Sequence, residues 1–255
     1  MRISDNILQS VVFICRPKKE SQEESKYPFV GTGFLAVDAE NCKVGKDHLF
    51  LITAKHVAKK ISNGDFFIRV NNKEGSFENK QENTRWFYHP TDNSVDVAVA
   101  SCSLTPDKAE YGALPLDMFL SDEILKQGKI GIGDEVYIIG LFAHVTGTKR
   151  NQPIARVGNI AMIPSERIQV ETDNFEGKIE AYLIEARSSG GLSGSPVFVR
   201  ESFLPNKGCK GEHYLLGLAI GHWAPKLKND ILEIKIRHEN GVNVGIAAVV
   251  PAKKY

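Results

Sequence analysis

No stretch of this sequence reaches the roughly 18 consecutive apolar residues that a membrane-crossing helix needs. The first residues, "MRISDNILQSVVFICRPKK", contain no basic leader joined to an unbroken apolar core. Asp5, Asn6, Gln9 and Ser10 interrupt the run, so it does not read as a secretory signal. Cysteine is sparse: four in 255 residues, at Cys15, Cys42, Cys102 and Cys209. None form a CxxC pair and none cluster with histidine at zinc spacing, so no metal is expected. Without a secretory signal the expectation is reduced thiols in a cytoplasmic protein. Cys15 and Cys102, set in apolar runs, read as core thiols. Charge of one sign is also missing: 32 basic residues face 31 acidic ones, a net charge of +1. That balance gives no electrostatic case for nucleic acid or an anionic membrane as partner. A βαβ rhythm, a fixed-period repeat and a cofactor-binding motif are absent as well, so no cofactor is expected.

What is present is strand signal. Hydrophobic residues make up 42% of the chain, enough at this length to bury a large core without staples. Short β-rich runs separated by turn residues dominate. In the first half they are 10–16, 29–37, 48–54, 65–71, 84–89 and 95–102. In the second they are 135–142, 154–163, 179–186, 195–199, 214–223 and 242–250. Twelve such runs predict sandwiches or barrels. Helical pattern is confined to "TAKHVAKKI" (53–61) and "DMFLSDEILKQG" (117–128). The polar segment 73–84 reads as a surface loop. The region 114–130 reads as a bridge between two six-stranded halves, giving segments 8–113, 114–130 and 131–252.

The stretch "SSGGLSGSPVF" (188–198) carries four serines in a glycine frame and then turns apolar. Gly191 and Gly194 bracket Ser193, and glycine permits unusual backbone angles and close substrate approach. The N–H groups of Gly191 and Ser193 are positioned in sequence to converge on one oxyanion. The elbow motif G-x-S-x-G fails here, because Ser195 stands at the last position and a strand follows. A plain turn before a strand is the alternative. Of seven histidines, His56 stands apart: it follows an apolar run and sits among small residues in "TAKHVA". Asp96 is embedded between valines in "SVDVAVAS", where a carboxylate is costly unless paired. Asp92, in "HPTDNS", reads as a turn residue. A buried aspartate needing a donor and a histidine needing an orienting acceptor satisfy each other.

"TAKHVA", "SVDVAVAS" and "GLSGSPVF", in the order His, Asp, Ser, resemble the chymotrypsin/trypsin-like serine peptidases. "GTGF" (31–34) resembles that family's glycine pair before the histidine block. "IGDEVYIIG" (132–140) and "IARVGNIAMI" (154–163) resemble the opening strands of the second barrel in its bacterial, disulfide-free members. The resemblance implies an all-β fold of two six-stranded antiparallel barrels, with the active site in the cleft between them. It implies a serine endopeptidase acting on a protein or peptide substrate. Ser193 would be nucleophile, His56 base, Asp96 orienting acid, and the Gly191 and Ser193 N–H groups the oxyanion site. A catalytically silent peptide-binding module of the same fold is the alternative.

By the same resemblance the pocket for the residue before the cleaved bond involves Arg187 and His222. "HW" (222–223) resembles glutamyl endopeptidases, and either cation would attract an acidic side chain. Leu192 stands where many secreted members carry an acid that pairs with a new N-terminus, so that activation switch is missing. Two routes to control remain. One is narrow specificity. The other is an activating protein partner acting on a bistable Ser189–Gly194 loop.

Overall fold

The computed structural model describes residues 3–17, 28–38, 49–61, 64–104, 108–143, 145–172, 175–187, 191–201, 212–228, 231–237 and 245–255. Strands account for most of the regular structure. The first eight are β1 (Val11–Cys15), β2 (Phe29–Val37), β3 (Leu49–Thr53), β4 (Phe66–Asn71), β5 (Ser76–Gln81), β6 (Phe87–Tyr88), β7 (Ala98–Ser101) and β8 (Leu114–Pro115). The rest are β9 (Glu135–Gly140), β10 (Ile154–Met162), β11 (Ile168–Thr172), β12 (Phe175–Ile179), β13 (Tyr182–Glu185), β14 (Pro196–Arg200), β15 (His213–Lys228), β16 (Ile231–Arg237) and β17 (Ile246–Pro251). The described α-helices are short: α1 (Asp5–Ser10), α2 (Lys55–Lys59) and α3 (Asp122–Lys126).

The second sheet closes on itself. Its hydrogen-bonded order is β14-β9-β10-β13-β17-β15, and β14 pairs in turn with β15, completing a six-stranded antiparallel barrel. The first sheet does not close among the described residues. Its path runs β5-β4-β1-β2-β3-β7-β6, with β8 added in parallel beside β2. Of the two barrels expected, the described residues show one closed barrel, set with one large sheet. The end strands explain it: β6 has two residues, Phe87 and Tyr88, both exposed, too few to continue a ladder to β5.

Strand β5 is a correction, since 76–81 read as part of a loop. Apart from Phe77, which packs against the core, its residues are polar and show no hydrophobic alternation. It forms because the preceding turn is built for it: Asn72 Oδ1 accepts the N–H groups of Glu74 (3.0 Å) and Gly75 (2.7 Å). That is an asparagine-nucleated turn, and the charged strand it returns suits a sheet edge. Helix α1 also takes Ser10, expected in the first strand. Ser4 caps it by accepting the Ile7 N–H at 3.4 Å.

The sheets share one apolar core. On β9, Val136 and Ile138 point into the barrel beside Ile184, Val197 and Val249. Tyr137 and Ile139 point outward, and with Phe198, Leu215 and Val250 they join the cluster containing Phe13, Phe34 and Leu51 of the first sheet. Strands β9, β14 and β17 and the first part of β15, up to His222, are thus covered on both faces, as their apolar runs require. A polar staple reinforces the contact. Buried Arg69 on β4 donates to Ser76 Oγ (2.7 Å) and to the Gly147 carbonyl (3.0 Å) in the loop after β9. Asn151 Nδ2 donates back to the Arg69 carbonyl at 2.6 Å.

Barrel closure depends on close backbone approach at Gly217, where β15 pairs with Pro251 of β17. A Cβ there would overlap the Val250 carbonyl and stand 2.8 Å from Val249 Cγ1. Gly217→Ala is expected to destabilise the fold by about 2–3 kcal/mol, as overpacking of a rigid core does. Urea unfolding checks this; an unchanged midpoint and slope would contradict the tight closure.

Candidate active site

Helix α2 begins directly after β3, with Ala54 at its N-cap and no side chain of its own to satisfy the first N–H groups. A remote carboxylate does so instead. Asp96 Oδ1 accepts the His56 backbone N–H at 2.9 Å, and its Oδ2 lies 2.6 Å from His56 Nδ1. One aspartate therefore caps the helix and holds the ring on it. An Nδ1–H given to a carboxylate leaves Nε2 as the acceptor edge of the neutral ring. His56 and Asp96 side chains are 13% and 18% exposed, so the pair forms a largely buried wall. Val95 and Val97, both buried, fix Asp96 from either side just before β7.

The segment from Gly191 to Ser195 passes against this wall. Gly191 (φ 95°) and Gly194 (φ 87°) lie in the left-handed region that favours glycine. At Gly194 a Cβ would overlap the Thr32 carbonyl and the Thr53 hydroxyl, and would stand 3.2 Å from Ala54 N. The chain carrying Ser193 thus touches residues two and three before His56. The Gly194 N–H donates to the Ala219 carbonyl (2.8 Å), and the Ser195 N–H to the Leu192 carbonyl (2.9 Å). The second bond turns the Leu192 carbonyl inward, so the Leu192–Ser193 peptide directs its N–H the other way. The N–H groups of Gly191 and Ser193 and the Ser193 hydroxyl have no partner among the described residues. Ser193 Oγ makes no hydrogen bond to His56 Nε2. Ser189 of the expected bistable loop lies outside the described residues.

Ser195 has a different environment. It is fully buried, its backbone carbonyl accepts the Ala219 N–H at 2.9 Å, and its hydroxyl has no partner. Gly140 leaves room for that hydroxyl, since a Cβ at 140 would overlap it. Arg187 is exposed after β13, whereas His222 is 5% exposed on β15, opposite Ala247. Cys15 and Cys102 are both buried. Desolvation holds both thiols protonated, that of Cys102 with a pKa pushed up to about 12. Cys42 and Cys209 lie outside the described residues. Among the described residues no three His, Cys, Asp or Glu side chains converge as metal ligands.

Two residues that sequence reasoning passed over join these parts: Thr32, the threonine inside "GTGF", and Thr53, the last residue of β3. Both are fully buried. The signal available for Thr32 was its place between two glycines in a buried strand, where a hydroxyl needs a partner.

Asp92 has its own work. Its Oδ1 accepts the Ser94 N–H (3.0 Å) and hydroxyl (2.5 Å), its N–H donates to His89 Nδ1 (3.0 Å), and Arg167 pairs with its Oδ2. The Ser94 hydroxyl bond, followed by the Ser94 N–H and Arg167, lowers its pKa from 3.8 to about 2. A depressed folded pKa means that the stabilisation is present above the unfolded value and is lost as pH falls through the folded one. Asp92→Asn should therefore melt earlier than the parent at pH 7. The gap should shrink as pH falls from about 4 towards about 2. Melting curves across that range decide it, and a constant gap would contradict the assignment.

Neither a protein-family model nor a curated protein sequence matches the chain. Among solved structures, the crystal structure of Rv3671c from M. tuberculosis H37Rv, a serine-to-alanine mutant in an inactive form, superposes with a TM-score of 0.50 at 17% identity. The match covers 97% of this chain and 84% of that one. At that identity the likeness concerns the fold, and the fold is chymotrypsin-like, with one closed barrel set against a large sheet.

Proposed function

We propose that the protein is a trypsin-like serine endopeptidase working through His56, Asp96 and Ser193. The observation that carries this reading is the double contact of Asp96 with His56, through ring and backbone, beside a glycine-framed serine whose N–H neighbours are uncommitted. Ser193 Oγ attacks the carbonyl carbon of a peptide bond while its proton passes to His56 Nε2. The carbonyl oxygen becomes an oxyanion facing the Gly191 and Ser193 N–H groups. The C–N bond then breaks, the proton moves from His56 to the leaving amine, and the acyl group stays on Ser193. Water, deprotonated by His56, releases the acid and restores the serine. Asp96 holds the ring's tautomer and stabilises its cationic form throughout.

In this scheme residues 8–113 supply His56 and Asp96, 114–130 link the halves, and 131–252 supply the nucleophile, the oxyanion N–H groups and the substrate pocket. Arg187 and His222 are the proposed sources of a preference for acidic side chains. The proposed setting is cytoplasmic, controlled by narrow specificity or by an activating partner. Among the described residues no helix is long and apolar enough to cross a membrane.

The second reading, a silent peptide-binding module, draws on the missing Ser193–His56 hydrogen bond. Such bonds are often long in ligand-free enzymes and tighten only with substrate, which favours the first reading. Labelling with a fluorophosphonate separates them: the enzyme reacts at one residue, Ser193, and the module does not react. Ser193→Ala should abolish labelling and cut turnover of a library-selected peptide by roughly 10⁴-fold or more. Asp96→Asn should lower turnover about 10⁴-fold with the fold intact. Ser195→Ala should keep most activity. Labelling that persists in Ser193→Ala and disappears in Ser195→Ala would overturn the assignment.

A further inference from the structure

Four hydrogen bonds meet at Thr32. Its N–H donates to the Ser193 carbonyl at 3.0 Å. Its hydroxyl accepts the Leu141 N–H at 3.0 Å and donates to the Gly191 carbonyl at 2.7 Å. Its own carbonyl accepts the Thr53 hydroxyl at 2.7 Å. Because the hydroxyl already accepts from Leu141, its proton is committed to Gly191. Thr32 belongs to β2 of the first sheet, while Gly191, Ser193 and Leu141 come from the barrel side. Thr53 ends the strand that leads through Ala54 and Lys55 to His56. A continuous hydrogen-bonded path therefore runs from the base-bearing strand, through two buried threonines, to both sides of Leu192.

From this we infer that Thr32 is a positioning residue: its hydroxyl sets the orientation of the oxyanion N–H groups at Gly191 and Ser193 relative to His56. The inference rests on the serine-peptidase reading above and deepens it. The Gly191 carbonyl belongs to the peptide that joins Gly191 to Leu192. Holding that plane fixes the backbone torsions on either side of it. Those torsions aim the Gly191 N–H, one bond upstream, and the Ser193 N–H, downstream. Gly191 is the place where this control is needed, because a glycine at φ 95° has other backbone states within easy reach. The main-chain bond from Thr32 to Ser193 locates the loop, and the hydroxyl orients it. Without the hydroxyl, the Leu141 N–H is left unpaired in the interior and the part-buried Gly191 carbonyl loses its donor, and the loop turns to satisfy them.

The experiment compares Thr32→Val, which keeps the branched shape suited to a strand, with Thr32→Ser, which keeps the hydroxyl. The readouts are kcat, KM and melting temperature, with binding of a peptide boronate whose tetrahedral adduct occupies the oxyanion position. Thr32→Val is expected to lower kcat by about 10²-fold with KM little changed. Boronate affinity should fall by a similar factor, and Thr32→Ser should restore both. A residue that only packs would lower the melting temperature without that split. Should the valine variant fail to fold, Thr32→Cys, with a weaker donor, is expected to show an intermediate loss of kcat. Wild-type kcat and boronate binding in Thr32→Val, or in the cysteine variant that replaces it, overturn the inference. So does a loss confined to KM. A parent protein that neither reacts with fluorophosphonate nor cleaves any library peptide overturns the serine-peptidase reading, and this inference with it.

Discussion

Strands β9, β14 and β17 and the first part of β15, up to His222, are covered on both faces, and the placing of the glycine-framed loop against α2 depends on that double burial. One face fills the barrel, with Val136, Ile138, Val197 and Val249 interlocking across it. The other is pressed on the first sheet through Tyr137, Phe198, Leu215 and Val250. A close-packed interior transmits displacement and does not absorb it. The two sheets therefore hold their relative position to within the tolerance of side-chain packing. Side chains contributed by different sheets can then face one another across a cleft at hydrogen-bond precision, which a loosely hinged pair of units cannot maintain.

Burial on this scale has a polar cost, and the molecule meets it with few groups. Where the glycine-framed loop crosses from barrel to first sheet, Thr32 supplies donors to its Gly191 and Ser193 carbonyls. Thr53 in turn donates to the Thr32 carbonyl. Where the loop after β9 leans on β4, Arg69 supplies several N–H groups from one planar head and reaches two carbonyls of that loop. The Ser195 hydroxyl is one of the buried groups left without a partner. Its neighbours there are Gly140 and Leu192, and neither brings a side-chain donor or acceptor to it.

Asp96 and Asp92 illustrate how environment separates two like residues four positions apart. Asp92 is enclosed by a turn, with Ser94, His89 and Arg167 as partners, and its carboxylate is used up in local structure. Asp96 lies between two buried valines, and its partners come from α2. Only the second carboxylate is aimed at an imidazole. Lys55, next to His56, is turned aside: it donates to the Asn93 carbonyl at 3.1 Å and lies 5.7 Å from the centre of the Tyr88 ring. Burial, reinforced by Lys59, lowers its pKa.

Much of the fold was legible in the sequence where one local rule decided it. Apolar runs such as "EVYIIG" and "YLLGLAIG" could only be strands covered on both sides, and Asp96 between valines had to find a donor. Strand β5 was illegible because an edge strand needs no apolar face, only a turn and a partner. Hairpin β11–β12 was missed as well, because its few apolar residues, among them Val170 and Ile179, are buried only by contact with the shared core. Closure of the second sheet needs β14 to pair with β9 as well as with β15, and partners such as Val197 and Ile138 are too distant in sequence for that pairing to leave a local trace. Ser193 could be picked out by its glycines. Thr32 could be marked as a buried hydroxyl in need of a partner, but that the partner is the Gly191 carbonyl, at 2.7 Å, was decided only by folding.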